Sequence, residues 1–146
     1  MKKLAILMSA AGMLLASGTG VADDYYGKQK VVYHINSDDD KTINAALGNV
    51  QNHLQAVGKE NIEMIVVMHG NGVDLLKKAN KDADLQSKVI NLKNQKVAMK
   101  VCGITLQRKN IDYKNDLFDV AKDDIVPSGV AELARLQTKG YVYVKP

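Results

Sequence analysis

Short apolar runs alternate with amphipathic helical patterns along this 146-residue chain. One run, Met64–Met68, is apolar without alternation, which is typical of a strand that has helices on both faces. Strands that alternate with helices form parallel sheets, because each helix returns the chain to the edge where the next strand begins. The pattern therefore predicts an α/β domain: a three-layer α/β/α sandwich around a five-stranded parallel sheet.

The predicted strands are segments rich in β-branched, apolar or aromatic residues. They are Lys30–Asn36, Asn61–His69, Lys96–Val101, Ile125–Val126 and Tyr141–Val144. The clearest helix follows the first strand, where apolar residues recur at spacings of three and four. These residues are Ile43, Ala46, Leu47, Val50, Leu54 and Val57. Asp38–Asp40 provides capping carboxylates at its start, and Gly58 is suited to its end.

The last helix is predicted to open at Pro127–Gly129, with the proline in its first turn, where the missing N–H costs nothing. Its predicted buried side consists of Val130, Leu133, Ala134 and Leu136.

The beginning of the chain has the pattern of an export signal. A basic start is followed by the apolar core Leu4–Ala16 and by small residues up to Ala22. The core is shorter than the roughly 20 residues that span a bilayer. We therefore predict a bacterial Sec-type signal peptide at residues 1–22. The mature domain, 23–146, is then periplasmic or secreted and has no membrane anchor.

Charge and motifs exclude several classes of function. Without the two lysines of the signal, the chain has 18 basic and 16 acidic side chains, and positive and negative residues are interspersed along it. Nucleic-acid binding needs a clustered basic face, so nucleic acid is not expected as a partner. Gly70 and Gly72 resemble a dinucleotide fingerprint, but Leu75 occupies the place of its third glycine, and the pair follows the second strand. We predict no cofactor.

The only cysteine, Cys102, follows the third strand and precedes Gly103. Ligand sites in open parallel sheets form at the carboxyl ends of the strands, where His69, Gly70 and Ser128 are also expected. A helix starting at this glycine would favour the thiolate through its free N–H groups. Adjacent strands are about 4.8 Å apart, so pairing of the second and third strands would bring His69 near the thiol. Alternatively, His69 is a turn residue.

Four segments, in the same order, resemble the DsrE/DsrF-like family and especially its small stand-alone members. They are Val67–Gly70, Val101–Leu106, Val126–Val130 and Leu136–Tyr141. The resemblance covers essentially the whole mature chain. It implies a five-stranded parallel sheet and a homo-oligomer, a trimer or a hexamer. In sulfur-relay members one cysteine carries sulfur as a persulfide, and Cys102 is the matching position.

These observations favour a sulfur carrier over an enzyme with turnover of its own. Cys102 would accept sulfur as a thiolate, from a donor protein or a small sulfur anion, and release it to an acceptor. His69 would orient or deprotonate the thiol. The predicted binding residues are Gly70, Gly103, Ile104 and Ser128.

Two alternatives remain open. In the first, the protein is a non-catalytic oligomeric interaction module in which the cysteine only packs, as buried free cysteines often do. In the second, it binds a soft metal such as copper(I), for which thioether, imidazole and thiolate are suitable ligands. The candidate ligands are Met64, Met68, Met99, His34, His69 and Cys102.

Overall fold

The computed structural model describes residues 25–146, so the predicted signal peptide at residues 1–22 lies outside the described part. The strands are β1 (Gln29–Ile35), β2 (Ile62–Met68), β3 (Ala98–Cys102), β4 (Ile125–Val126) and β5 (Val142–Val144). The helices are α1 (Asp40–Val57), α2 (Asp74–Ala79), α3 (Ala83–Asn94), α4 (Gly103–Arg108), α5 (Tyr113–Asp116) and α6 (Gly129–Thr138). Short 3₁₀ turns occupy Gly70–Val73 and Lys122–Asp124.

The five strands form one parallel sheet in the order β4-β3-β2-β1-β5. The predicted fold class is therefore confirmed. Because every strand runs in the same direction, the carboxyl ends of β1, β2 and β3 meet at one edge. Met68 pairs with Val101, so the residues that follow them, His69 and Cys102, are neighbours at that edge.

The two faces of the sheet are covered unequally. One face packs against α1, α2, α3 and α4 and forms the larger hydrophobic core, which includes Val66, Met68 and Val101. The other face packs against α6 in a small cluster built on Val32 and Val67. Side chains alternate between the faces along each strand. The thinly covered face therefore leaves room at the carboxyl edge.

Local signals fixed the ends of α1 as predicted. The carboxylate of Asp39 accepts a hydrogen bond of 2.8 Å from the N–H of Thr42, and Gly58 ends the helix with φ of 86°. All six residues of the predicted apolar stripe are buried. Among the described residues, no helix combines the length and the hydrophobicity that crossing a bilayer requires.

The predictions for α6 were partly wrong. Ser128 caps the helix by accepting from the N–H of Ala131, so Pro127 precedes the cap instead of lying in the first turn. The buried residues are Gly129, Glu132, Leu133 and Leu136, whereas Val130 and Ala134 are exposed. The helix is rotated about its axis, relative to the predicted orientation, because its first residue, Gly129, packs against the sheet.

Candidate functional site

Cys102 lies at the carboxyl end of β3 and immediately precedes α4, as the sequence predicted. The residue is only 5% exposed, but it lines a cavity of about 340 Å³ at the carboxyl edge of the sheet. Four other predicted site residues line the same cavity. They are His69, Gly70, Ile104 and Ser128. The thiol is thus more enclosed than a rim position suggests, and it borders a space large enough for a small ligand.

Several donors converge on the Cys102 sulfur. Burial alone would raise the pKa of the thiol. The hydroxyl of Thr105 and the backbone N–H groups of Gly129, Thr105 and Ile104 favour the thiolate more strongly, so the net pKa is lowered. The sulfur makes no helix-capping hydrogen bond of ordinary geometry, and these backbone groups therefore act mainly as oriented dipoles.

Thr105 connects the thiol to the neighbouring strand. Its buried hydroxyl oxygen accepts a hydrogen bond of 2.9 Å from the N–H of Gly70. That bond leaves the hydroxyl hydrogen free to point at the sulfur of Cys102. Thr105 was not among the site residues predicted from the sequence. Its spacing could have indicated it, because the third residue of a helix lies within reach of the residue that caps it.

Gly129, the first residue of α6, lies between the histidine and the cysteine. A Cβ atom added to it would be 2.8 Å from the Cβ of His69 and 3.1 Å from the Cβ of Cys102. Only glycine lets the helix approach this closely, and the approach brings a backbone N–H to the sulfur. The same packing explains why the buried stripe of α6 runs through Gly129 and leaves Val130 exposed at the cavity.

His69 does reach the cavity, but its ring is engaged elsewhere. Its Nε2 atom lies 2.7 Å from the Nε2 of His34 on β1, and the two ring planes are inclined by 21°. The Nδ1 of His34 lies 2.6 Å from the hydroxyl of Tyr143 on β5. The turn interpretation also has a basis, because the backbone carbonyl of His69 accepts from the N–H of Gly72 at 3.0 Å.

Both histidines have lowered pKa values. Burial, then the neighbouring His69, and then Lys145 lower the pKa of His34 to about 4. Burial, followed by Lys145, also lowers the pKa of His69. The pair is therefore uncharged at neutral pH, and its rings act as neutral donors and acceptors.

The glycines near the site are present for different structural reasons. Gly103 is not among the residues that line the cavity; a Cβ there would be 3.2 Å from the carbonyl oxygen of Val126. Gly70 lines the cavity and has a positive φ of 55°. Gly72 fits against β1, where a Cβ would lie 2.0 Å from the carbonyl oxygen of Ile35. A close strand contact therefore accounts for Gly72, without a nucleotide.

Two basic residues that the sequence analysis passed over, Arg108 and Lys109, also line the cavity. Lys109 hydrogen-bonds Asn71 at 3.0 Å and pairs with Asp74 at 3.4 Å. Arg108 is exposed and has no ion-pair partner in the part of the chain that the structure describes. One cationic group is thus available for an anion in the cavity.

The three thioethers among the proposed soft-metal ligands lie apart from His34, His69 and Cys102. Met64, Met68 and Met99 are buried in the larger core, on the face of the sheet opposite Cys102. Within residues 25–146, no group of three or more histidine, cysteine or acidic side chains is arranged to hold a metal ion. The thioethers on which the copper alternative depended are part of the core packing.

Comparison with known proteins identifies the family. The model of the DsrE/DsrF-like family matches residues 29–146, which includes all five strands. The chain belongs to the DsrE/DsrF-like family. That family is associated with sulfur relay, and its members are often oligomeric.

A solved structure agrees with this assignment. The DsrE/DsrF-like chain is similar to MTH1491 of Methanobacterium thermoautotrophicum, a protein of unknown function. The two share 30% sequence identity and superpose with a TM-score of 0.70, over 82% of this chain and 100% of the other. A search of curated proteins found no match.

Proposed function

We propose that this DsrE/DsrF-like protein is a sulfur carrier whose acceptor is the thiolate of Cys102. The observation that carries the proposal is the position of Cys102 at the start of α4 and against Gly129 at the start of α6, where it borders a cavity. The donors of these two helix starts and the Thr105 hydroxyl lower the pKa of the thiol. A cysteine that served only as core packing would not need donors that favour its charged form. The association of the family with sulfur relay supports the same chemistry.

The transfer needs no external oxidant. The thiolate of Cys102 attacks the outer sulfur of a polysulfide or thiosulfate and forms a new S–S bond. The S–S bond of the donor breaks, and its electron pair leaves with the shorter polysulfide or with sulfite. A thiolate of the acceptor then attacks the outer persulfide sulfur, and Cys102 leaves as a thiolate. Each step exchanges one S–S bond for another.

The cavity favours a small anionic donor. Arg108 contributes a cation that has no ion-pair partner within residues 25–146, and the donors around Cys102 favour negative charge on sulfur. The adjacent rim is apolar, because Val130 and Ile104 are 63% and 42% exposed. An apolar rim is suited to an acceptor protein or to a second copy of the chain. We propose a homo-oligomer, a trimer or a hexamer, that acts in the periplasm after removal of residues 1–22.

Intact-mass measurement of the mature protein after exposure to polysulfide tests the proposal. We expect the protein to gain the mass of one or more sulfur atoms, which a reducing thiol removes. Because the chain has only one cysteine, Cys102→Ser is a direct control and should gain nothing. Val130→Ala, at the cavity but chemically inert, should load like the wild type. The absence of a cysteine-dependent gain, with the protein folded, would overturn the carrier function.

A further inference from the structure

A chain of hydrogen bonds leads from the thiol cavity to the surface on the other side of β1. It runs from His69, which lines the cavity, through His34 to the hydroxyl of Tyr143, with contacts of 2.7 Å and 2.6 Å. Tyr143 is 39% exposed, whereas His34 is buried. These hydrogen bonds therefore connect the cavity that the thiol borders with solvent through two imidazole rings.

The hydrogen bonds of this series can all donate in one direction or all in the other. Each direction gives His69 a different tautomer. Only one of the two facing Nε2 atoms carries a hydrogen when both rings are neutral. If Tyr143 donates to His34, then His34 donates to His69, and the remaining hydrogen of His69 is on Nδ1. If the bonds run the other way, Nδ1 of His69 has a lone pair. The ring is thus either a donor or an acceptor towards the cavity.

We propose that His69, His34 and Tyr143 form a relay that carries the thiol proton of Cys102 to solvent by reversing these hydrogen bonds. The S–H bond breaks and its electron pair stays on sulfur. Because no direct hydrogen bond joins Cys102 to His69 within the described residues, a water molecule in the shared cavity takes the thiol proton and passes one of its own to Nδ1 of His69. The Nε2 hydrogen of that ring passes to Nε2 of His34, whose Nδ1 hydrogen passes to the oxygen of Tyr143. The original hydroxyl hydrogen of Tyr143 leaves to water.

This relay begins and ends with both rings neutral. The lowered pKa values of His34 and His69 agree with such a pair, because burial makes a lasting positive charge on either ring costly. The charged groups near the chain are Lys145, beyond β5, and the cavity residues Arg108 and Lys109. Helix α6 contributes Gly129 against His69, and glycine has no titratable side chain.

The inference deepens the proposed function, because sulfur transfer is the chemistry that would use the thiolate. His34 and Tyr143 act here as positioning residues. Within the described residues, Nδ1 of His69 has no hydrogen-bond partner, and His69 lines the cavity that Cys102 borders. The relay therefore makes a prediction about the rings themselves, which can be measured without any sulfur donor.

Ring ¹⁵N chemical shifts distinguish protonated from unprotonated nitrogens and report the tautomer of each histidine. We expect His34 and His69 to change tautomer together as the pH passes the pKa of Cys102, with both rings neutral before and after. Tyr143→Phe removes the hydroxyl that donates to Nδ1 of His34 in the switched state and should abolish the change. Cys102→Ser, which forms no thiolate, should abolish it too. His53, whose Nδ1 lies 3.0 Å from the hydroxyl of Tyr33, is an internal control that should not respond to the thiol.

Rings that keep one tautomer through the thiol titration, or that become doubly protonated, would overturn the relay. So would an unchanged switch in folded Tyr143→Phe. Failure of the carrier function has a separate signature, since the protein would then gain no sulfur mass while the tautomers still switched. Normal sulfur loading without a tautomer switch would leave the carrier intact and remove the relay.

Discussion

Thr105→Val is expected to slow the sulfur loading of Cys102 at neutral pH. Valine has nearly the shape of threonine but no hydroxyl, so the thiolate loses the side-chain donor that lowers its pKa. A hydrogen bond to a charged group contributes about 1.5–3 kcal/mol. A more basic thiolate is also more nucleophilic, so we expect the net rate to fall by about 3–10-fold.

The rate is measured from the appearance of the persulfide mass at neutral pH. Thr105→Ser is the matched control, because serine keeps the hydroxyl that accepts from Gly70 and points to the sulfur. It should load within about twofold of the wild type, since it retains the hydroxyl group. Equal rates for valine, serine and the wild type would show that the hydroxyl does not act on the thiol.

Gly129→Ala is expected to destabilise the fold and to disturb the site together. The added methyl group would lie 2.8 Å from the Cβ of His69, an atom whose position is fixed by the backbone that follows β2. Helix α6 must therefore move away from the sheet. Overpacking of this kind costs about 1–3 kcal/mol. We expect the urea midpoint to fall and the sulfur loading of Cys102 to slow, because the N–H of residue 129 moves away from the sulfur.

Gly48→Ala provides the contrast. Gly48 lies in the middle of α1, with open space where its Cβ would be. Alanine there should raise the free energy of unfolding by roughly 0.5–1 kcal/mol, because glycine is the poorer helix former. Both substitutions replace glycine with alanine. Changes of opposite sign in the free energy of unfolding would therefore show that packing at residue 129 causes the difference. A gain of stability in both variants would contradict the close approach of α6.

Much of the fold was predictable because its signals are local. The apolar stripe of α1 and the carboxylate at its start predicted a helix that the structure contains, with all six stripe residues buried. The two-residue strand β4 was also found, since Pro127 ends it. The buried side of α6 was predicted only in part. Its rotation depends on contact between Gly129 and residues of two strands, which no periodicity in the helix reveals.

The site divides in the same way. The position of Cys102 at the edge of the sheet could be predicted from topology, because the last residue of a parallel strand lies at the carboxyl edge of the sheet. The pairing of His34 with His69 was missed, although both were considered as metal ligands. The two histidines are 35 positions apart, and Tyr143 is 109 positions from His34. Contact among them requires β5 to lie beside β1, and the sequence did not indicate that strand order.

The dependence of Cys102 alkylation on pH, followed by intact mass, tests the central claim most directly. With only one cysteine in the chain, the midpoint of the rate profile reports the pKa of that thiol. We predict a midpoint below the ordinary thiol value of about 8.5, with rapid labelling at neutral pH. A midpoint at or above that value, with slow labelling of the folded protein, would contradict the account. Cys102 would then be a packing residue of an interaction module.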